Sequence, residues 1–267
     1  MDWNPHRTTT NDAPDIAWTR AGNGHPVVLV HGITENGSSW GAVADRLAEH
    51  NDVIVVDLRG HGASDMASDY GLGAMASDLA AVMADAGVER PHLVGHSLGG
   101  AVVSAAGAVL DVSSVVNVDQ SLDLGGFKET LGAAEAALRD PATFAMVIEA
   151  IFEQMSGELL STSERARISA LRQADQAVVL GVWNDILTSS VDEMNAIVDA
   201  ALLPYQTDPV PYLSLFGIDP GEGYGEWLSS RVPGAQVDYW EAHGHYPHLV
   251  DPERFVERVE RFWASVR

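Results

Sequence analysis

The sequence contains no cysteine. Disulfides, thiolate metal sites and a cysteine nucleophile are therefore excluded. Basic residues are scarce: 15 Lys+Arg stand against 38 Asp+Glu, a formal net charge of −23. A surface this acidic repels phosphate backbones and anionic lipid, so neither nucleic acid nor a membrane is an expected partner. No apolar run is long enough to cross a bilayer. The first residues, MDWNPHRTTTNDAPD, are polar and lack the apolar core of a secretory signal, so a cytoplasmic protein is expected. Internal repeats and low-complexity tracts are also missing.

What is present is a chain of 267 residues, 46% of them hydrophobic, enough for one large core carrying an insertion. Short apolar runs alternate with helical patterns over the first 119 residues. DIAWTRAG, PVVLVHG, DVIVVD, HLVGHS and SSVVNVD read as strands. SSWGAVADRLAEH, capped by Ser38 or Ser39, MASDLAAVMADAGV and GGAVVSAAGAVL read as helices between them. Strands apolar throughout and separated by helices predict a doubly wound, mostly parallel sheet covered on both faces. From 120 to 205 no strand pattern is found. Apolar residues fall at helical spacing instead: Phe144, Val147, Ile148, Ile151, Phe152 and Met155, then Met194, Ile197, Val198 and Ala201. Such stripes usually pack against neighbouring helices, and the first is also a candidate pocket wall. PVPYLSLFGI and AQVDYWE then return as strands, and PERFVERVERFWASV closes as an amphipathic helix. The expected division is an α/β core at 1–119 and 206–267, with a helical insertion at 120–205.

Three segments carry chemistry. Gly95-His96-Ser97-Leu98-Gly99 fits G-x-S-x-G where a strand hands over to a helix. Small flanking residues let a serine sit on a sharp bend with its hydroxyl exposed. The Leu98 amide lies at a helix N-terminus, where it can stabilise an oxyanion. Val30-His31-Gly32-Ile33 ends an earlier strand, and the Ile33 amide is the candidate second donor. Ala242-His243-Gly244-His245-Tyr246-Pro247-His248 follows a late strand, and any of its three histidines has the chemistry of a general base. An acid that fixes the imidazole tautomer completes such a set. Asp119 and Asp219 both end strands and precede the histidines; each would serve equally well as a turn or cap residue.

Jointly these segments resemble the α/β-hydrolase superfamily, in its order and over nearly the whole chain: HG at Gly32, DLRGHGASD at 57–65, GHSLGG at 95–100 and GHYPHLVDPERF at 244–255. The resemblance implies Ser97 as nucleophile, His245 as base, and 120–205 as a cap that roofs the pocket. For the acid it implies a Gly, two residues, then Asp, often before Pro. Gly217-Ile218-Asp219-Pro220 is one residue shorter, which makes Asp219 preferred and Asp119 the alternative. A serine at the elbow argues against the relatives that use an aspartate there, the epoxide hydrolases and haloalkane dehalogenases. The expected function is hydrolysis of small or medium, mainly apolar carboxylic esters through an acyl-enzyme, with no cofactor and no metal. A lactonase or C–C bond hydrolase shares the same residues, and a ligand-binding sensor on the same fold is the alternative from another class.

Overall fold

The computed structural model describes residues 1–9 and 13–266. Strands β1 (Asn4–Thr8) and β2 (Ile16–Gly22) form an antiparallel ribbon. Then come β3 (His25–Val30), α1 (Gly41–Leu47), β4 (Asn51–Val56), α2 (Leu72–Ala86), β5 (His92–His96), α3 (Leu98–Gly107) and β6 (Ser114–Val118). Six helices follow before the next strand: α4 (Gly125–Arg139), α5 (Phe144–Met155), α6 (Thr162–Leu171), α7 (Gln176–Val182), α8 (Asn184–Thr188) and α9 (Val191–Leu202). The chain ends with β7 (Tyr212–Phe216), α10 (Tyr224–Ser229), β8 (Gln236–Tyr239), α11 (Pro247–Val250) and α12 (Pro252–Ser265). The eight strands form one sheet in the order β1-β2-β4-β3-β5-β6-β7-β8, parallel from β4 to β8.

The continuous apolar runs have a simple cause. Alternate residues of a strand point to opposite faces, and both faces here are covered. In β3, Val28 and Val30 enter the core beneath α2, α3 and the inserted helices, while Val27 and Leu29 enter the core beneath α1 and α12. Phe255, Val256, Val259, Phe262 and Trp263 recur at three- and four-residue spacing, which is why α12 buries one face.

Two local expectations change. The turn before α1 is capped by Asn36, not by Ser38 or Ser39: Asn36 Oδ1 accepts the Ser38 amide at 3.0 Å. Strand β1, NPHRT, has no hydrophobic signal because four of its five residues are exposed; beyond the main-chain pairing with β2, the His6 ring stacks on Trp18 at 4.1 Å and Trp18 Nε1 donates to Thr8 Oγ1. Among the described residues, no helix is long and apolar enough to cross a membrane.

Candidate active site

The site lies at the carboxyl ends of the parallel strands, where loops leaving neighbouring strands converge. Ser97 sits between β5 and α3 at φ 52°, ψ −122°, a conformation disfavoured for a residue with a side chain. The bend is held by a bond from the Ser97 amide to the Val118 carbonyl at 2.9 Å. It needs its glycines for close approach. A Cβ at Gly95 would strike the Gly99 carbonyl, and one at Gly99 would strike the Val30 carbonyl. Helix α3 therefore starts hard against β3 and β5, and Ser97 is lifted to its rim.

The amides of Ile33 and Leu98 have no backbone partner among the described residues, and both residues line the same cavity as Ser97. The Gly32 turn is set by His31. Its Nε2 accepts the Leu58 amide at 3.0 Å, so its proton is on Nδ1, which donates to the Gly32 carbonyl at 2.7 Å.

Of the three late histidines, the structure brings only His245 to the cavity. Its Nδ1 donates to Asp119 Oδ2 at 2.6 Å, which leaves the lone pair on Nε2. Nε2 has no hydrogen-bond partner among the described residues. Burial drives the His245 pKa down, and the bond to Asp119 opposes this without overcoming it. His243 bonds locally to the Glu241 carbonyl. His248 is buried, with its ring 4.9 Å from that of Trp40. The main chain before His245 is pinned to the inserted helices, since its amide donates to the Met155 carbonyl at 2.9 Å.

The preference for Asp219 is corrected by this geometry. Asp119, at the end of β6, has its second oxygen held by the amides of Gly217 and Ile218 at 2.7 and 2.9 Å. Those are the residues that the family pattern counts toward Asp219. Asp219 itself is exposed, and its Oδ1 accepts the Gly221 amide at 2.9 Å, a turn bond. The chain past β7 thus serves the carboxylate on its neighbour strand instead of supplying one.

A cavity of about 250 Å³ opens from Ser97 and His245. Its walls include Leu98, Ala101, Ala105, Leu122, Leu124, Phe127, Ile151, Phe152, Met155, Trp183, Ile186, Met194, Ile197, Val198, Ala201 and Leu202. Both apolar stripes of the insertion contribute, while Phe144 and Ile148 of the first are buried in packing. Trp40 lies in the core on the opposite side of the sheet. Tyr70 is buried beside the cavity wall, against Gly60 and Gly181, without lining it. Among the described residues no Lys or Arg lines the cavity, and Asp69 and Asp185 are exposed members of the lining. One charged group behind this site was not singled out by the sequence patterns: Glu35 is only 1% exposed.

A family model described as the alpha/beta hydrolase family matches residues 27–258. The chain belongs to that family. This hydrolase is 29% identical over 267 residues to a pimeloyl-[acyl-carrier protein] methyl ester esterase of Aeromonas hydrophila, covering 92% of this chain and 98% of that protein. An esterase of Escherichia coli is 25% identical, with 90% and 93% covered. Among solved structures, an esterase from a Rhodococcus species superposes with a TM-score of 0.74 at 28% identity, over 99% of this chain and all of that one. The hydrolase thus shares its family and architecture with esterases along almost its full length.

Proposed function

We propose that the protein is a serine esterase acting on small or medium, mainly apolar carboxylic esters. One observation carries this reading. His245 is oriented by Asp119 at 2.6 Å so that its unpaired Nε2 belongs to the cavity that also holds Ser97 on its strained bend. A serine hydroxyl is a weak nucleophile until a neighbouring base accepts its proton. In the proposed reaction Ser97 Oγ attacks the ester carbonyl and His245 Nε2 takes the hydroxyl proton. The amides of Ile33 and Leu98 hold the oxyanion. His245 returns the proton to the departing alcohol, and an acyl-enzyme remains. Water, deprotonated by His245, then releases the acid and restores Ser97. Asp119 stays ionised and stabilises the imidazolium.

The helices from 125 to 202 act as the cap, and their apolar walls select the substrate. The absence of a lysine or arginine from the described lining favours an uncharged chain over a free carboxylate. The exposed carboxylates of Asp69 and Asp185 in the lining add repulsion for anions. The esterase relative named for a carrier-bound methyl ester supports ester chemistry; the acidic surface here argues for a free small molecule.

The test is labelling with a fluorophosphonate alongside hydrolysis of p-nitrophenyl esters, a lactone and a vinylogous diketone. Ester turnover with label on Ser97 is the expected result. Ser97→Ala should lower turnover by about three to six orders of magnitude. Full activity of the alanine variant would refute the mechanism, and absent labelling would favour a binding protein on the same scaffold.

A further inference from the structure

Glu35 has no part in the ester chemistry just described, yet it is 1% exposed, two residues beyond Ile33. Burying a carboxylate is costly unless it is paired. One of its oxygens faces the loop that carries His245, the other the elbow. Oε1 accepts the Tyr246 hydroxyl at 2.8 Å. Oε2 lies 3.8 Å from His96 Nδ1, and neither of those two atoms has a hydrogen-bond partner among the described residues. The other nitrogen of His96, Nε2, lies 2.7 Å from the main-chain carbonyl of His245.

The proton positions follow from these contacts. A carbonyl only accepts, so His96 Nε2 must carry a proton. Burial pushes the Glu35 carboxyl up, but His96, Tyr246 and His31 outweigh it and hold it at about 2. Glu35 Oε2 faces the edge of the His96 ring at 3.8 Å, beyond hydrogen-bond length, while the same ring holds the His245 carbonyl through Nε2. The other titratable and charged groups around it are His31, His61 and Asp57 beside β3 and β4, His245 and His248 in the late loop, and Arg172 near Tyr246.

Asp119 holds the His245 ring by one nitrogen only. A single bond leaves the ring free to swing about it unless the main chain is fixed. On one side that chain is held by the bond from the His245 amide to the Met155 carbonyl, and on the other by His96 and Tyr246. We propose that Glu35 is a positioning residue for the catalytic histidine, fixing residues 245 and 246 through the His96 ring packed against it and through the Tyr246 hydroxyl. The elbow, the oxyanion loop and the base loop are thereby locked together behind the reacting atoms. Gly32 belongs to the same lock, since a Cβ there would stand 3.1 Å from His96 Nδ1. The proposal rests on the reading of Ser97 and His245 as nucleophile and base.

The experiment compares the full-length protein with its Glu35→Gln, Tyr246→Phe and Ser97→Ala variants. Glutamine keeps the shape and the bond to Tyr246 and removes only the charge. Steady-state hydrolysis of a p-nitrophenyl ester should show kcat lowered about 10- to 100-fold with KM within about twofold, as expected when a reacting group is misplaced but substrate still binds. Tyr246→Phe should lower kcat by a smaller, severalfold amount. In 15N-histidine-labelled protein, His96 Nε2 should carry a proton bonded to the His245 carbonyl, and its N–H signal should shift in Glu35→Gln. A His96 Nε2 without a proton in the unsubstituted protein, or Glu35→Gln with unchanged kcat, would overturn the proposal. If Glu35→Gln does not fold, the His96 Nε2 proton and Tyr246→Phe decide, and unchanged kcat in the latter counts against it. Turnover retained by Ser97→Ala would overturn the esterase reading and this one with it. An inactive Ser97→Ala beside an unimpaired Glu35→Gln would remove only the role of Glu35.

Discussion

Asp119 and Asp219 differ in what their backbones ask of them. Asp119 stands at φ 53°, a left-handed conformation, directly after β6. Its carboxylate accepts two amides as well as the His245 ring, so all of its strong acceptor directions converge on one place. Asp219 spends its side chain on a local turn. Asp119→Asn should therefore lower kcat by about three to four orders of magnitude, because the amide favours the wrong imidazole tautomer. Asp219→Asn should stay within about threefold of the parent. Steady-state kinetics on both variants distinguishes them, and the reverse ranking would return the acid to Asp219. The lowered pKa of His245 has a consequence at the same scale. A base that resists protonation stays neutral below pH 6.5, so kcat/KM should hold into mildly acidic solution before it falls. An inflection above 6.5 in the pH–rate profile would contradict this.

Among the elements, α3 and α9 contribute small residues to the cavity wall. Ala101 and Ala105 on the first and Ala201 on the second are small residues in an otherwise bulky apolar lining. Ala201→Leu adds branched carbon to that space. It should lower kcat/KM for a p-nitrophenyl octanoate by about tenfold or more and leave the acetate within about threefold, since hydrophobic pockets discriminate by roughly that factor per misplaced methylene. Equal loss on both esters would place Ala201 outside the acyl path. The apolar stripes were legible as stripes. Their split duty was not, because periodicity reports which face of a helix is apolar and says nothing of what that face meets. In α5, Phe144 and Ile148 pack while Ile151, Phe152 and Met155 reach the cavity.

For the whole molecule, charge and buried histidines set the response to solution conditions. The chain has a single lysine and a net charge of −23, so self-repulsion is large at neutral pH. Raising NaCl from about 0.05 to 1 M should raise the thermal midpoint by several degrees as that repulsion is screened. Acid should act the other way at first. His31, His61, His245 and His248 all have lowered pKa values, chiefly from burial, with His61 at about 4. The unfolded chain takes up protons near pH 6.5 that the folded protein refuses. Their stabilisation is thus complete above that range and is lost as pH falls toward the folded values, for His61 alone roughly 3 kcal/mol by about pH 4. Glu35 adds a second loss, starting below its usual 4.5 and ending near 2. Protonation of surface carboxylates, which relieves repulsion, begins only near pH 4 to 5. The thermal midpoint at fixed ionic strength should therefore drop between pH 7 and 5. A rise across that interval would show that repulsion, not histidine burial, dominates.

The amino-acid order alone settled what depends on local pattern. Runs apolar throughout mean strands covered on both faces, and a serine between close-packed glycines after such a run means a bend at the head of a helix. Those are contacts within a few residues or within one element, and composition records them. Which carboxylate meets His245, that Glu35 is buried, and that Trp40 faces away from the cavity were decided only by tertiary structure. Each depends on strand neighbours far apart in the chain: β6 lies beside β5, so the residue at its end reaches the ring, and the loop after β7 closes over it. Adjacency in a sheet is set by the sum of packing over the whole core, and no short stretch of sequence carries that information.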